Sequence, residues 1–490
     1  MVTRTLPARS RGTPDGVADH ARPDPLVAPD RRTVRAAIFG FGAVVGLLAF
    51  PRDEITFDAI LAAFGWATFV GALIGWLLSR NAVATSTVLA AIALAYTQGI
   101  GDASVNGLPF GGFYTSPGSV VLAVIGIGLF LLVAGLVSRG LVGLMHLRWS
   151  GARPVLADRS VLVGLVAFLA LTLLAAIATG AWSYWGDRSV APEGETGLIR
   201  LELFYSPTLI ICAWFGVLSR RDEVARHGPS PTTWRMWVFA AAIAIMLFAL
   251  QSRRLMIGAG LMLAFALVTT TPGTRLRSMM WRGLGLVAVL FAFSTASAGW
   301  RELSTESRVT LSDRIEGALD AVGDTSAFEQ IESRLTYLWF DALAHELAPA
   351  GIELSMSELA ISNLARAVPR ALLPSKDEIE AVACETYLDG LSLPDDLPCT
   401  PSGEGVLWAG FWGLLFVGFI AGLNLGAAEL LVERGGLRRV VGLFLLVPFA
   451  MLETGAFGFI AGLRLAVIGT GFIALLALGV RLFFGRRASA

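Results

Sequence analysis

Apolar stretches separated by short polar segments recur along the chain from about residue 36 onward. Their length of about 14–25 residues is close to the roughly 20 residues that an α-helix needs to cross the hydrocarbon core of a bilayer. The pattern therefore predicts an all-α polytopic membrane protein. About twelve spans are expected, with limits near 36–50, 57–78, 82–98, 119–138, 160–182, 204–218, 236–250, 255–271, 283–298, 404–424, 439–452 and 456–480.

The amino-acid composition supports this class. Hydrophobic residues make up 55% of the chain and charged residues 16%, whereas soluble proteins carry roughly 25% charged residues. The formal net charge is zero, so overall charge gives no reason to expect a nucleic acid as a partner.

Arginine in the connecting segments predicts the orientation. The first 34 residues, polar and rich in proline, are expected to form a disordered cytoplasmic tail, and seven arginines lie in the chain through Arg35. Three or four arginines also lie in each of 139–159, 219–235, 275–282, 434–439 and 481–487. Because basic loop residues stay in the cytoplasm, both termini are expected there.

The same orientation exports one large loop, 299–403, between spans nine and ten. The first nine spans then occupy 35–298, and three spans with a short cytoplasmic tail occupy 404–490. The loop holds nineteen acidic and seven basic residues. Apolar periodicity predicts one helix within 327–348 and a second over 355–368, capped by Ser355 or Ser357, with the remainder irregular. A shorter outer loop, 99–118, is expected to be partly re-entrant or to lie on the membrane surface.

Two of the three cysteines fall in the exported loop. Cys384 and Cys399 are predicted to form a disulfide in an oxidising compartment, worth roughly 3 kcal/mol by chain entropy; the alternative is two buried free thiols. Cys212 is expected to pack inside a span. The sequence has no metal-spaced cluster and no phosphate-binding glycine loop, so neither a metal, a cofactor nor ATP-driven transport is expected.

An arginine pair stands on the outer face in this topology. Arg253 and Arg254 lie between two apolar runs, with Gln251 and Ser252 before them. Guanidinium groups bind phosphate through paired hydrogen bonds, and a helix starting near residue 254 would add free N–H groups. This pattern predicts a site for a lipid-linked phosphate. The alternative is an arginine pair that reaches to the lipid headgroups.

Other exported or intramembrane cations are weaker candidates. Arg464 lies within the last apolar run, where a charge is costly unless it is paired or faces a cavity; Glu453 is its candidate ion-pair partner. Arg301 and Arg334 lie in the exported loop and would bind the same anion. The alternative for these two is a solvated or salt-bridged side chain.

His345 is the one histidine expected outside the cytoplasm. Histidine titrates near neutral pH, which makes His345 the candidate general base. Asp341 precedes it by four residues and would share its helix face. Competing carboxylate bases are Asp341, Glu346, Glu404 and Glu453, although Glu404 would also serve as a helix-capping acid.

Local sequence in the exported loop resembles a known family. Ala367-Val368-Pro369-Arg370-Ala371-Leu372-Leu373-Pro374-Ser375-Lys376 is similar to a proline- and arginine-containing stretch of the O-antigen polymerases, or oligosaccharide repeat-unit polymerases (Wzy-like). Thr400-Pro401-Ser402-Gly403-Glu404-Gly405, followed by Trp408-Ala409-Gly410-Phe411-Trp412-Gly413, is similar to the segment that leads their loop into the next span.

The resemblance implies a GT-C-like membrane glycosyltransferase in a bacterial inner (plasma) membrane. Its substrates would be polyprenyl-pyrophosphate-linked oligosaccharides held among membrane lipids, and a chain-length regulator protein would be a further partner. Arg253, Arg254 and Arg464 would stabilise the leaving pyrophosphate, and His345 or a carboxylate would remove the acceptor proton. Arg370 and Lys376 would contact the acceptor.

Two other functions fit the same sequence. An O-antigen ligase has related chemistry and transfers the finished glycan to another acceptor. A flippase or transporter for lipid-linked glycans would catalyse no bond formation. The single large outer loop favours surface chemistry over transport.

Overall fold

Helices make up almost all of the described part of the chain in the computed structural model. The structure describes residues 31–51, 55–110, 113–146, 158–178, 204–227, 253–270, 296, 311–323, 336–350, 355–368, 372–373, 400–451 and 457–484. The helices are α1 (Arg31–Ala49), α2 (Phe57–Ser79), α3 (Val83–Thr97), α4 (Ile100–Asn106), α5 (Pro117–His146), α6 (Asp158–Ala178), α7 (Tyr205–His227), α8 (Arg253–Thr270), α9 (Leu311–Gly323), α10 (Thr336–Leu347), α11 (Met356–Ala367), α12 (Pro401–Glu433), α13 (Gly436–Met451) and α14 (Gly458–Phe484).

The helices confirm an all-α membrane protein. Within the described residues, α2, α5, α6, α12 and α14 are long and apolar enough to cross a bilayer, and α3 with α4 forms a sixth candidate that is bent by 47°. The predicted spans 236–250 and 283–298 lie outside the described residues, except for residue 296. The predicted limits of the other spans differ from the observed helices mostly at their ends, as at α1, which begins at Arg31.

Three predicted segments take more definite form in the structure. The loop 99–118 contains α4 and a two-stranded antiparallel hairpin, β1 (Leu108–Phe110) and β2 (Phe113–Thr115). The helix predicted within 327–348 is described from Thr336 as α10. Ser355 caps α11 as predicted, because the Glu358 N–H donates to its hydroxyl at 3.4 Å.

The prediction of irregular structure elsewhere in the exported loop is wrong at α9. Leu311, Ile315 and Leu319 recur every four residues, so they share one face of a helix. Acidic residues occupy the opposite face, and this amphipathic spacing was the signal that the segment is helical.

Glycines on α12 allow it to pack closely along α5. A Cβ atom at Gly418, Gly422 or Gly426 would lie 3.3, 2.8 or 2.9 Å from the carbonyl oxygens of Phe130, Ala134 and Ser138, respectively. Each step of four residues on one helix matches a step of four on the other, so the two helices run parallel. Small residues at such interfaces let backbones approach each other in membranes.

Arg439 gathers several helix ends into one buried cluster. Its guanidinium donates to Asp222, to Asp158 at 3.3 Å and to Ser219 at 3.1 Å, and its Nε donates to the Val432 carbonyl at 3.0 Å. The side chain is 1% exposed. The start of α6 and α13 and the end of α7 and α12 therefore meet at one end of the bundle, here called the arginine end.

Glu429 adds the start of α3 to the arginine end. Its carboxylate accepts from the Thr85 N–H at 2.6 Å, and the Thr85 hydroxyl lies 3.2 Å from that of Ser138 on α5. The first N–H groups of a helix have no intrahelical partner, so Glu429 caps α3 from a distant part of the chain. The arginine end is the one that the loop arginines predict to be cytoplasmic.

Candidate functional site

Helix α10 is inserted among the membrane helices, although the sequence assigned it to an exported loop. It packs against α3, α5 and α12, and its residues from Tyr337 to Ala344 are buried. A Cβ atom at Gly126 would lie 3.4 Å from His345 Nε2 and 3.1 Å from Leu414 Cδ1. Because Gly126 lies roughly 13 Å along α5 from its first residue, α10 reaches below the start of that helix.

Asp341 joins α10 to the first turn of α12. The carboxylate is 2% exposed and accepts from the Thr400 hydroxyl at 2.7 Å. The Ser402 hydroxyl lies 3.0 Å from Oδ1 and 2.9 Å from Oδ2, and the Tyr96 hydroxyl lies 3.3 Å from that of Ser402. One carboxylate thus connects the end of α3, the start of α12 and α10. The surrounding region is called the Asp341 end.

The local sequence explains why these hydroxyls converge. Thr400 is the N-cap of α12, and its Oγ1 accepts from the Gly403 N–H at 3.1 Å. Pro401 follows at the first helical position, which suits a ring that lacks an N–H. A Cβ atom at Gly403 would lie 2.8 Å from Asp341 Oδ1. The absence of a side chain at Gly403 therefore lets the carboxylate approach the capped turn.

Burial sets the protonation of Asp341. Removal from water raises its pKa to about 7, because desolvation penalises the charged form, while hydrogen bonds from Thr400, Ser402 and Tyr96 act in the opposite direction. The carboxyl group therefore changes charge near neutral pH.

A sharp turn near the start of α12 brings its first segment back along the helix. Ala409 and Gly410 leave helical geometry, and Gly410 has φ 57°, a conformation that glycine adopts without strain. A Cβ atom at Gly413 would lie 1.9 Å from the Gly405 carbonyl oxygen. The short segment 401–408 is thus a separate half-helix that carries Ser402 into the bundle.

Glu346 fixes the other end of α10. Its Oε1 accepts from the Ser116 N–H at 2.6 Å, immediately before α5. A carboxylate at this position also interacts favourably with the positive end of the helix dipole. Helix α10 is therefore tied to α12 through Asp341 and to the start of α5 through Glu346.

His345 lies between these two anchors. The imidazole is half-buried, and burial lowers its pKa below the ordinary value of 6.5. A neutral imidazole at physiological pH has a free nitrogen lone pair that can accept a proton. The Asp341 carboxylate, one helical turn before His345 on α10, accepts from Thr400 and Ser402 on α12.

Helix α8 begins toward the Asp341 end. The Thr87 hydroxyl, near the start of α3, donates to Met262 Sδ at 3.5 Å, whereas Trp214 Nε1, in the middle of α7, donates to the Gly258 carbonyl at 3.3 Å. The start of α3 lies at the arginine end, whereas the middle of α7 lies away from it. Gly258 is therefore farther from the arginine end than Met262. The first turn of α8, with Arg253 and Arg254, lies farther still from the arginine end.

The remaining predicted site residues have separate positions. Glu404 is buried in the first turn of α12, and Arg464 is half-buried on α14. The side chains of Arg253 and Arg254 lie outside the described part of the structure, as do Gln251, Ser252, Arg301, Arg334, Arg370, Lys376, Cys384, Cys399 and Glu453.

Sequence reasoning missed Tyr96 and gave no role to the hydroxyls of Thr400 and Ser402. Tyr96 opens a short polar stretch at the end of an otherwise apolar run, and Thr400 precedes Pro401 as a helix cap would. Both signals are visible in the sequence, but neither identifies Asp341 as the common partner.

Comparisons with known proteins identify no relative of this chain. The sequence matches no family model, and no curated protein or solved structure has significant similarity to it. In the described residues, no group of three or more histidine, cysteine or acidic side chains is arranged to hold a metal ion.

Proposed function

We propose that the protein polymerises polyprenyl-pyrophosphate-linked oligosaccharide repeat units at the outer face of a bacterial plasma membrane. The observation that carries this proposal is the insertion of α10 between α5 and α12. It brings a neutral, half-buried histidine to the end of the bundle toward which the first turn of α8 points.

The reaction requires a base and a site for the leaving group. An acceptor hydroxyl of one repeat unit attacks the anomeric carbon of the donor glycan, and the bond from that carbon to the pyrophosphate oxygen breaks. His345 takes the hydroxyl proton at an imidazole nitrogen as the new glycosidic bond forms. The pyrophosphate leaves with both electrons of the broken bond and remains on its carrier lipid.

Arg253 and Arg254 supply the charge that the leaving group needs. Negative charge accumulates on the pyrophosphate as the bond breaks, and fixed guanidinium groups stabilise that charge more in the transition state than in the substrate. The first N–H groups of α8 add hydrogen-bond donors at the same place. Arg464 is a further candidate for this role, and Arg370 and Lys376 are candidates for contacting the acceptor.

The depth of α10 suits a substrate held by the membrane. A carrier lipid keeps its pyrophosphate at the headgroup level, so the reacting anomeric carbon stays close to the bilayer. A base carried only by a loop far above the surface would not meet that carbon. The insertion of His345 beside Gly126 therefore supports chemistry at the lipid-proximal sugar.

A second candidate function is transport of a lipid-linked glycan. Interrupted helices around a buried polar residue are typical of secondary transporters. Here α3 and α4 are bent by 47°, and α12 breaks at Ala409 and Gly410. Asp341 binds Ser402 in the half-helix before the second break. This arrangement favours transport as the principal alternative.

Deletion of the gene, followed by profiling of lipid-linked and surface glycans, separates the two functions. Loss of a polymerase leaves single repeat units at the cell surface, whereas loss of a transporter leaves them trapped inside on the carrier lipid. Complementation with His345→Ala should restore no polymer at normal protein abundance. Wild-type polymer length in that strain would contradict the proposed role of His345.

A further inference from the structure

Helix α10 is anchored on both sides of His345 by carboxylates that bind different membrane helices. Asp341, one turn earlier, accepts from Thr400 and Ser402 at the start of α12. Glu346, the next residue, accepts from the Ser116 N–H at the start of α5. The position of the imidazole therefore depends on two contacts that lie outside α10 itself.

We propose that Asp341 and Glu346 are positioning residues, which hold α10 between α5 and α12 and thereby fix His345 for proton transfer. This inference rests on the proposed function only in giving His345 the role of base. Asp341 is 2% exposed and its two oxygens are already occupied by hydroxyl groups. It acts on the reaction through the placement of α10.

The chemistry of the anchors makes this role separable from catalysis. An amide at position 341 keeps an oxygen that accepts from Thr400 and Ser402, and its NH₂ group can donate to a neighbouring hydroxyl. An amide cannot serve as a general base. Asp341→Asn therefore preserves the anchor and removes the base, whereas Asp341→Ala removes both and leaves two buried hydroxyls without their acceptor.

A cross-link between α10 and α5 tests whether Asp341 holds α10 in place, and it requires no measurement of activity. In the full-length protein in native membranes, His345→Cys is combined with Gly126→Cys, two positions that face each other across the contact of α10 with α5. A short bifunctional thiol reagent should join them, and each single cysteine variant gives the background. Adding Asp341→Ala should abolish the cross-link, whereas adding Asp341→Asn or Glu358→Ala should leave it intact.

The same anchor variants, with His345 and Gly126 native, are then assayed for polymer in the deletion strain. A displacement of the base by about 1 Å is expected to lower the rate about 100-fold, so Asp341→Ala should give almost no polymer. Asp341→Asn and Glu346→Gln should give near wild-type polymer, and Glu358→Ala, an exposed acid on α11, should be unaffected.

Three outcomes would overturn the positioning role. An intact cross-link in the Asp341→Ala background would mean that the carboxylate does not hold α10. Loss of polymer in Asp341→Asn with an intact cross-link would make Asp341 itself the proton acceptor. Normal polymer in the Asp341→Ala strain would mean that the reaction does not need the contact between Asp341 and α12. Failure of the proposed function is distinct from all three, because it would appear in the deletion strain itself, as repeat units trapped inside on the carrier lipid.

Discussion

The Ser402 hydroxyl lies 3.0 Å from Oδ1 and 2.9 Å from Oδ2 of Asp341, two residues that are 61 positions apart in the chain. This contact ties α10, a helix of the segment that the sequence predicts to be an exported loop, to the half-helix that begins α12. It also leaves an acidic group in an apolar bundle, with hydroxyl groups as its neighbours. The stability of the protein should therefore depend on the charge of this carboxyl.

Stability is expected to fall as the pH rises through the range in which Asp341 loses its proton. An unfolded aspartate has a pKa of 3.8, and burial raises the pKa of Asp341 to about 7. The folded state thus binds more protons between these values, which lowers the free energy of unfolding with rising pH, by up to about 4 kcal/mol. Thermal unfolding in detergent between about pH 4 and pH 8 measures this trend.

Asp341→Asn is the matched control for this pH dependence. The amide keeps the size and the acceptor oxygen but cannot titrate, so the variant should lose this part of the pH dependence. An identical slope in the variant and the wild type would assign the effect to another group.

Arg439 is expected to be essential for folding because it neutralises a buried carboxylate. Arg439→Ala leaves Asp222 with Arg221 as its remaining guanidinium partner and removes the contacts of Arg439 with Asp158 and Ser219. Removal of one partner of a buried ion pair typically costs about 3–5 kcal/mol. The midpoint of thermal unfolding in detergent should drop sharply. Arg438→Ala, at the adjacent half-buried position, should change the free energy of unfolding by about 1 kcal/mol or less, and an equal loss in both variants would argue against the specific role of Arg439.

The glycine face of α12 should tolerate no added methyl group at its centre. A Cβ atom at Gly422 would lie 2.7 Å from Val137 Cβ and 2.8 Å from the Ala134 carbonyl oxygen. Gly422→Ala is therefore expected to cost about 1–3 kcal/mol through overpacking. Gly471→Ala, where no atom lies within 4 Å of the added methyl group, should be neutral or slightly stabilising, and the two melting temperatures measured side by side test the difference.

Orientation can be tested by labelling from one side. Arg253→Cys, at the start of α8, should react with a membrane-impermeant thiol reagent in intact spheroplasts. Ala225→Cys, an exposed position near the arginine end, should react only after the membrane is permeabilised. Both variants are made with Cys384 and Cys399 replaced by serine, and the reverse labelling pattern would invert the topology.

The arginine pair itself should be needed for polymer but not for folding. Arg253→Ala and Arg254→Ala each remove a guanidinium from the proposed pyrophosphate site, and loss of such a donor typically lowers the rate about 100- to 1000-fold. Surface glycan gels should show single repeat units at normal protein abundance. Wild-type polymer length in both variants would refute the phosphate site.

Local patterns predicted the class of the fold and several of its helices, but the contacts that build the site depend on distant parts of the chain. Apolar length identified α2, α5 and α12, and the serine before α11 identified its cap. The pairing of Glu429 with Thr85 crosses 344 residues. No periodicity encodes such a pairing, because it depends on how helices assemble after each has formed.

In the candidate site, too, one residue could be predicted from the local sequence and another could not. His345 could be chosen from the sequence because histidine is scarce outside the predicted cytoplasmic segments. Asp341 was recognised only as one acid among several, because its burial and its hydroxyl partners arise from the insertion of α10. The fold of that loop segment, rather than its composition, converts an ordinary acidic residue into an anchor.

Purified protein in liposomes with a synthetic polyprenyl-pyrophosphate-linked repeat unit gives the most direct test of polymerisation. Polymerisation predicts carrier lipids that bear two or more repeat units, together with one carrier lipid pyrophosphate released without glycan for each glycosidic bond formed. His345→Ala and Arg253→Ala should abolish these products. Movement of the unextended substrate across the bilayer, with no longer product, would contradict the account and identify the protein as a transporter.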